Sequence, residues 1–228
     1  NKEVVGITKF CVHPHEAIKT KSVIGGTKKL NMAKIRSFKP DLILANKEEN
    51  SRDQIEEFAK DFPVWVSDVK TLEDAVSMIL SVGEITGKKK PALSLKSKIC
   101  NGFNNLKAKI SNHRLKKSVY IIWHNPMMSI GNDTFIHSMM QHCGFENALS
   151  QRKRYPEISE QELAEINPEL IMLSSEPFPF REKHIARYRL ICPAAKIILV
   201  DGQMFSWYGS RLQYAPEYFL WLFQSINK

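Results

Sequence analysis

Two segments, IRSFKPDLIL at residues 35–44 and LAEINPELIML at residues 163–173, decide the fold because they repeat one pattern. Aligned on Pro40 and Pro168, both carry apolar residues two and five positions before the proline and an acidic residue, Leu and Ile directly after it. A proline disfavours helical backbone at the residue before it, so a helix that reaches this point ends there. The apolar run that follows is short and bounded, as in a buried strand. Each segment therefore predicts a helix followed by a strand.

The chain continues the repeat after each segment. Both copies give a polar loop, a helical stretch and a second apolar strand that ends at an aspartate, VWVSD at residues 64–68 and IILVD at residues 197–201. A duplicated helix-strand-helix-strand unit predicts an α/β fold of two similar α/β lobes with small central sheets. A cleft between two lobes is the default position for a ligand, and we expect the ligand there.

One long helix is predicted between the lobes. Its apolar residues recur in steps of three and four and so form a stripe on one helical face, at Leu95, Ile99, Phe103, Leu106 and Ile110. Pro91 stands where a helix can start, and Gly87 closes the helix before it. The predicted domains are an N-terminal α/β lobe at 1–87, a connecting backbone helix at 88–117 and a C-terminal α/β lobe at 118–228.

The composition is that of a globular protein, with 43% hydrophobic and 25% charged residues in a chain of 228. No run of about 18 apolar residues is present, so we expect no segment that spans a membrane. The net charge of +9 comes largely from lysines at helical spacing around residues 88–117. Such lysines are typical of a solvated helical face, and no nucleic-acid-binding motif accompanies them, so we expect no nucleic-acid partner.

The four cysteines, Cys11, Cys100, Cys143 and Cys192, have neither CxxC nor zinc-ligand spacing. Cys100 and Cys143 lie on apolar helical faces and are predicted to be buried thiols. Unpaired cysteines are typical of proteins in a reducing compartment, so a cytoplasmic location stays open at this point.

The chain also carries a series of motifs in a fixed order, namely VVGIT at 4–8, GGT at 25–27, KPDLI at 39–43, GFEN at 144–147 and SEQEL at 159–163. With a lobe-joining helix between them, these motifs resemble the helical-backbone class of substrate-binding proteins, which serve ABC importers of cobalamin, haem and ferric siderophores. The segment WHNPMMSIG at 123–131 is most similar to the cobalamin-binding branch. Members of the class usually have a strand, a Pro-Ser turn and a helix before the first motif, and we expect the N-terminal lobe of this chain to lack them.

The resemblance implies a binding protein rather than an enzyme. Its ligand would be a transported metal chelate, a corrinoid such as cobalamin, haem or a ferric siderophore, and no catalytic cofactor is expected. The implied partners are the permease subunits of an ABC importer, and the implied location is extracytoplasmic, either periplasmic or lipid-anchored. We expect a monomer.

Candidate ligand-binding residues are placed directly after predicted strands, because ligands of α/β lobes meet the loops beyond the carboxyl ends of the strands. Aromatic and sulfur side chains crowd these loops and suit a flat, largely apolar macrocycle. Two arginines suit a carboxylate or phosphate of the ligand, since guanidinium binds such groups bidentately. The candidates are Phe10, Cys11, His13, Lys47, Glu48, Trp123, His124, Asn125, Met127, Met128, Arg154, Tyr155, Met204, Phe205, Trp207, Tyr208 and Arg211.

Some of these aromatic residues suit a second role equally well. One or two of Phe205, Trp207 and Tyr208 can instead cap the core beneath the final helix, predicted at 216–226. Trp123 stands at the end of a predicted strand, where core and cleft are equally compatible with its ring.

An axial bond to the metal of the chelate is a further hypothesis. His13 and His124 each follow a strand, and imidazole is a common axial ligand. Cys11 is a possible soft ligand, and Tyr155 is considered because tyrosine ligates haem in some relatives. His13 is the residue that we predict as a metal ligand, although a lone loop histidine is usually solvated.

The resemblance also implies a docking surface, since each lobe of such proteins presents an acidic residue to arginines of the transporter. The candidates are Glu48 and Glu49 in the first lobe and Glu176 and Glu182 in the second. An acidic residue near a helix N-terminus is favoured without any partner, so the placement has an ordinary alternative.

The alternative function is an enzyme on the same architecture, a metal-inserting chelatase for which His13, Cys11 and Glu48 would be the working groups. The chain has no nucleophile elbow, no phosphate-binding loop and no His-Glu-x-x-His motif.

Overall fold

The computed structural model describes residues 3–227. Contacts divide the chain into two compact units, one up to Asp68 and one from Val69 onward.

The N-terminal unit consists of short helices and two pairs of parallel strands. Its elements are β1 (Gly6–Ile7), α1 (His15–Ile18), β2 (Ser22–Val23), α2 (Met32–Ser37), β3 (Ile43–Asn46), α3 (Arg52–Ala59) and β4 (Val64–Ser67). β1 pairs with β2, and β3 pairs with β4. Only Gly6 and Ile7 of the VVGIT motif at 4–8 form the strand β1. The buried apolar residues of this unit are Ile35 of α2, Ala45 of β3, and Ile55 and Phe58 of α3.

The second unit contains a four-stranded parallel sheet surrounded by helices. Its elements are α4 (Leu72–Ile85), α5 (Lys89–Ile110), β5 (Lys116–Ile121), α6 (Phe135–His142), β6 (Phe145–Asn147), α7 (Glu160–Ile166), β7 (Leu170–Ser174), α8 (Glu182–Ile191), β8 (Lys196–Val200), α9 (Gly202–Ser206), a 3-10 helix (Ser210–Tyr214) and α10 (Ala215–Ile226). The strand order is β6-β5-β7-β8.

Both faces of this sheet are covered, as is usual for parallel sheets. Along β5, Val119 and Ile121 enter one buried cluster, whereas Tyr120 enters the other. The first of these clusters also contains Leu163 of α7 and Tyr188 of α8. The second cluster receives α5, α6, α9 and α10. The alternation of neighbouring side chains between two layers is the period of two that strand geometry dictates.

The sequence repeat is present in the structure. Both copies contain a helix, a strand, a helix and a strand, and in each copy the two strands pair in parallel, β3 with β4 and β7 with β8. The residues before the aligned prolines, Lys39 and Asn167, both adopt left-handed backbone, with φ of 47° and 45°. This conformation ends a helix, so the aligned positions share their backbone geometry as well as their pattern. The predicted fold class is confirmed.

The predicted long helix is confirmed as α5, although it ends at Ile110 and not at 117, where β5 has already begun. Four residues of its stripe, Ile99, Phe103, Leu106 and Ile110, are buried. Helix α4, which we predicted within the N-terminal lobe, packs along α5 and belongs to the second unit by its contacts. Gly83 permits that packing, since a Cβ there would stand 2.3 Å from Cβ of Ala92. The division into lobes and connector stays a prediction.

The thiols differ in their surroundings. Cys143 and Cys192 are buried, Cys100 is half-buried and Cys11 is exposed. Burial raises the pKa of the Cys143 and Cys192 thiols, which keeps them protonated and unreactive.

Among residues 3–227, no helix combines the length and the apolar composition that crossing a bilayer needs.

Candidate functional site

Four loops follow the carboxyl ends of the four parallel strands of the second unit. Residues 122–130 follow β5, residues 148–159 follow β6 and residues 175–181 follow β7. Residues 201–211, which include the short helix α9, follow β8. We call these loops together the loop edge. Parallel strands bring their carboxyl ends to one edge of the sheet, which is where open α/β sheets bind ligands.

The loop after β5 is a tight turn that presents Trp123. We placed Trp123 at the end of the strand, but β5 ends at Ile121, so Trp123 lies two residues beyond it and is 38% exposed. The turn is closed because the Met128 N–H donates to the Trp123 carbonyl at 3.1 Å, and the indole N–H donates to the carbonyl of Asn125, also at 3.1 Å. Met127 points into the core and is buried, whereas Asn125 is exposed. Of this loop, Trp123 therefore offers the largest accessible ring.

An aromatic residue that we did not predict, Phe178, connects the loop after β5 to the loop after β7. The ring of Phe178, in the loop after β7, lies 5.8 Å from the Trp123 ring and 5.3 Å from the stacked imidazole of His124. The alternation Pro177-Phe178-Pro179-Phe180 directly after a strand is the sequence signal that could have identified it. Phe180 is buried, so Phe178 alone of this pair extends the loop edge.

His124 lies close to basic side chains. Its ring lies 5.2 Å from the His184 ring, and its Nε2 lies 3.4 Å from a guanidinium nitrogen of Arg187. Burial, followed by the positive charges of Arg187, His184 and Lys183, lowers the pKa of His124 below its usual value of about 6.5. The neutral imidazole is therefore the form that this fold favours, which is also the form that can ligate a metal.

We expect His124 to make stability depend on pH. Its lowered pKa means that the folded chain binds fewer protons than the unfolded chain between the folded pKa and about 6.5. The stabilisation by neutral His124 is complete above about pH 6.5 and is lost as pH falls toward the folded pKa. In His124→Gln, the unfolding free energy measured by urea denaturation should fall less steeply below that pH.

Part of the slope should remain in His124→Gln, because burial also lowers the pKa of His137 and His142. Equal slopes for His124→Gln and the unsubstituted protein would contradict the role assigned to His124.

The loop after β6 carries Arg154 and Tyr155 at a fixed position. The N–H of Gly131 donates to the Arg154 carbonyl at 2.7 Å, and the N–H of Arg154 donates to Asp133 Oδ1 at 2.5 Å. Gly131 is required for this approach, since a Cβ there would stand 2.5 Å from the carbonyl oxygen of Arg152. The guanidinium carbon of Arg154 lies 5.4 Å from the centre of the Tyr155 ring. The loop therefore presents a cation stacked on an aromatic ring.

The aromatic residues of the loop after β8 differ in burial. Phe205 is fully buried, with its ring 5.0 Å from Tyr120 and 4.7 Å from Phe219. The structure thus places Phe205 in the core and not on a ligand-facing wall. Trp207 and Tyr208 are half-buried at the end of α9, and the Tyr208 ring lies 5.2 Å from Phe135.

Two further residues of this loop frame Trp207. The guanidinium carbon of Arg211 lies 5.9 Å from the centre of the Trp207 ring. Met204 and Met128 are half-buried and pack on the core. The loop edge therefore contains two arginines, each stacked on an aromatic ring, together with Trp123, Phe178 and Tyr208.

Glu176 and Glu182 have different environments. The Trp207 indole N–H donates to Glu176 Oε1 at 2.8 Å, and Ser206 Oγ lies 2.6 Å from the same oxygen. Glu182 stands exposed in the first turn of α8. Sequence reasoning did not identify the bond between Glu176 and Trp207, because the two residues lie 31 positions apart.

The predicted residues of the N-terminal unit lie in two loops. Phe10 is 55% exposed beneath the Lys9 ammonium, at 5.1 Å, and the Cys11 thiol lies 3.6 Å from the Thr8 hydroxyl. His13 is exposed, and Cys11, unlike His13, lines an open cavity of about 310 Å³.

The second loop of this unit follows β3. Lys47 is ion-paired with Asp68 at 2.5 Å, and the N–H groups of Glu48 and Glu49 donate to Asn46 Oδ1. The Glu48 side chain is half-buried and that of Glu49 is exposed.

Within the part of the chain that the structure describes, no three His, Cys, Asp or Glu side chains are grouped to hold a metal ion. An axial bond to a metal that a macrocycle already holds needs only one side chain. The assignment of His13 as such a ligand therefore stays a prediction.

Comparisons with known proteins point to one family. The family model described as periplasmic binding protein matches residues 1–189. An uncharacterized ABC transporter substrate-binding lipoprotein of Bacillus subtilis is 28% identical over 179 residues, which cover 75% of this chain and 56% of the relative. A vitamin B12-binding protein of Salmonella typhimurium is 22% identical over 174 residues, 75% of this chain and 65% of the relative. The matched part is thus less than two thirds of either relative.

Solved structures share the fold. A periplasmic haem-binding protein in complex with two haems has a TM-score of 0.85 at 18% identity, with 98% of this chain and 89% of that chain covered. The periplasmic vitamin B12-binding protein of Vibrio cholerae has a TM-score of 0.84 at 16% identity, with the same coverage of 98% and 89%. At these identities the likeness shows the fold alone.

Proposed function

We propose that this chain, which belongs to the periplasmic binding protein family, binds a metal chelate and delivers it to the permease of an ABC importer. The proposal rests on the residues of the loop edge, supported by the names of the relatives.

The observation that carries the proposal is the concentration of aromatic and guanidinium groups at the loop edge. The loops after β5 and β7 contain the rings of Trp123 and Phe178, and the loops after β6 and β8 contain the rings of Tyr155 and Trp207. Ring faces contribute large apolar area and lose little conformational entropy, and stacking on a ligand adds about 0.5–1.5 kcal/mol per ring. A flat tetrapyrrole is the kind of ligand that such an edge accommodates.

The arginines narrow the ligand class further. Arg154 and Arg211 each lie over an aromatic ring, and a guanidinium can bind an acidic group through its planar edge. Haem carries carboxylates, cobalamin carries a phosphate, and many ferric siderophores are anionic. We therefore propose that the cargo is a corrinoid, haem or a ferric siderophore with an acidic group near one of these arginines.

Delivery implies an extracytoplasmic protein with a surface for the permease. Among the acidic residues considered for docking, Glu49 and Glu182 are exposed and suit this role by their accessibility. The Glu176 carboxylate already accepts a hydrogen bond from Trp207, so we no longer assign Glu176 to docking.

The test is an equilibrium titration of the protein with cyanocobalamin, haemin and the anionic siderophore ferric enterobactin in turn, followed by visible absorption and by quenching of tryptophan fluorescence. We expect saturable binding of at least one of the three. A matched control is the double variant Arg154→Gln and Arg211→Gln, which keeps the rings and removes both charges. Absence of saturable binding for all three ligands would overturn the proposal.

A second arm addresses the chelatase alternative, which no observation in the structure favours. Incubation with Fe²⁺ and protoporphyrin should give no more metallated product than buffer alone. Product formation that Cys11→Ser abolishes would identify an enzyme instead.

A further inference from the structure

Glu176 occupies a place that the proposed function does not yet use. Its Oε1 accepts a hydrogen bond from the Trp207 indole N–H at 2.8 Å and lies 2.6 Å from Ser206 Oγ. Glu176 is half-buried, so these groups take the place of water around one carboxylate oxygen. An N–H that donates to a carboxylate makes a stronger bond than one that donates to a neutral acceptor. The bond therefore restrains the ring of Trp207.

The backbone around Glu176 is itself held in place. Ser174 Oγ donates to the Glu176 carbonyl at 2.6 Å and lies 3.0 Å from the hydroxyl of Tyr120, which is fully buried. A carboxylate can position another group only if its own chain is fixed, and these bonds fix it to the sheet.

The start of α9 lies very close to the Glu176 side chain. A Cβ at Gly202 would stand 2.4 Å from Ser174 Oγ and 2.6 Å from Cγ of Glu176. The Gly202 N–H donates to Ser175 Oγ at 2.9 Å. Glycine thus lets α9 approach the loop after β7 closely enough for Trp207, at the end of α9, to reach Glu176.

Trp207 in turn supports Arg211. The guanidinium carbon lies 5.9 Å from the ring centre, and Arg211 Nε is buried without a hydrogen-bond partner among the described residues. The orientation of the ring therefore bears on where the cation lies.

We propose that Glu176 is a positioning residue, whose carboxylate fixes the Trp207 ring and through it the Arg211 guanidinium. The consequence for ligand affinity rests on the proposed function, whereas the positioning itself does not. The distinction from docking is that Glu176 acts through Trp207 and not on a partner protein.

The first test needs no ligand. The emission of Trp207 is obtained as the difference between a protein and its Trp207→Phe counterpart, and its accessibility is obtained from acrylamide quenching of that difference. Glu176→Leu should shift the Trp207 emission and increase its quenching. Glu176→Gln should restore most of the original signal, because the amide oxygen can accept the indole N–H. Glu182→Leu, an exposed acid six positions further along the chain, is the matched control and should leave the signal unchanged.

The second test uses haemin and cyanocobalamin as probes. With either probe that binds, Glu176→Leu should weaken binding about 3- to 10-fold, the effect of losing one hydrogen bond that orients a contact. In the Trp207→Phe background, Glu176→Leu should cause no further loss.

These outcomes separate the two proposals. If none of the three ligands titrated for the proposed function binds but the fluorescence changes as expected, the proposed function fails and the positioning role stands. An unchanged Trp207 signal in Glu176→Leu would overturn the positioning role, as would a loss of affinity that persists in full without Trp207.

Discussion

Replacing Phe205 by Ala should lower the free energy of unfolding by about 3–5 kcal/mol, the usual cost of truncating a buried aromatic ring. Phe205 has no exposed area, and its ring lies 4.7 Å from Phe219 and 5.0 Å from Tyr120. Because α9, α10 and the sheet meet at this ring, the cavity cannot close without moving one of them. Urea denaturation followed by circular dichroism measures the loss.

Leu190→Ala is the control for this prediction, since Leu190 is an apolar residue that is 84% exposed. Its cost should stay within about 0.5 kcal/mol. If Phe205→Ala is no more destabilising than Leu190→Ala, Phe205 does not belong to the core.

The elements that the sequence predicted well are those fixed by local chemistry. Helical backbone is disfavoured for the residue before a proline, so the helices end before Pro40 and Pro168, and Lys39 and Asn167 both adopt left-handed backbone. The stripe of α5 was predictable for a similar reason, because the helical period alone decides which residues face inward.

The loop after β8 shows what the local sequence does not predict. Phe205 and Trp207 stand two positions apart in an apolar stretch, and the sequence does not distinguish them. The structure does, because Asp201 caps a helix of five residues that turns Phe205 inward and ends before Trp207. A helix this short has too few residues for its periodicity to be recognised.

Contacts between segments far apart in the sequence could not be predicted either. The bond from Trp207 to Glu176 joins two loops that become neighbours only because β7 and β8 pair. The acidic residue alone suggested docking, and only the position of its carboxylate beside the indole indicates a different role. Similarly, Met127 appeared to be a loop residue, but the turn after β5 directs it into the core.

Replacing Trp207 by Ala should weaken binding of whichever probe the protein binds, haemin or cyanocobalamin, by about 5- to 150-fold, or about 1–3 kcal/mol. The variant loses the ring that we propose contacts the ligand, and it loses the surface over which Arg211 lies. The loss should therefore exceed that of Glu176→Leu, which keeps the ring. Titration followed by visible absorption gives the affinity without relying on tryptophan emission.

The stability of Trp207→Ala distinguishes a binding role from a core role. Trp207 is half-buried and lies at the end of α9, so the variant should lose much less unfolding free energy than Phe205→Ala. Trp207→Phe keeps an aromatic face without the indole N–H and should fall between the unsubstituted protein and Trp207→Ala in affinity. If Trp207→Ala is as unstable as Phe205→Ala and binds the probe with unchanged affinity, Trp207 supports the core, and the aromatic face of the site has to be sought in Trp123 and Phe178.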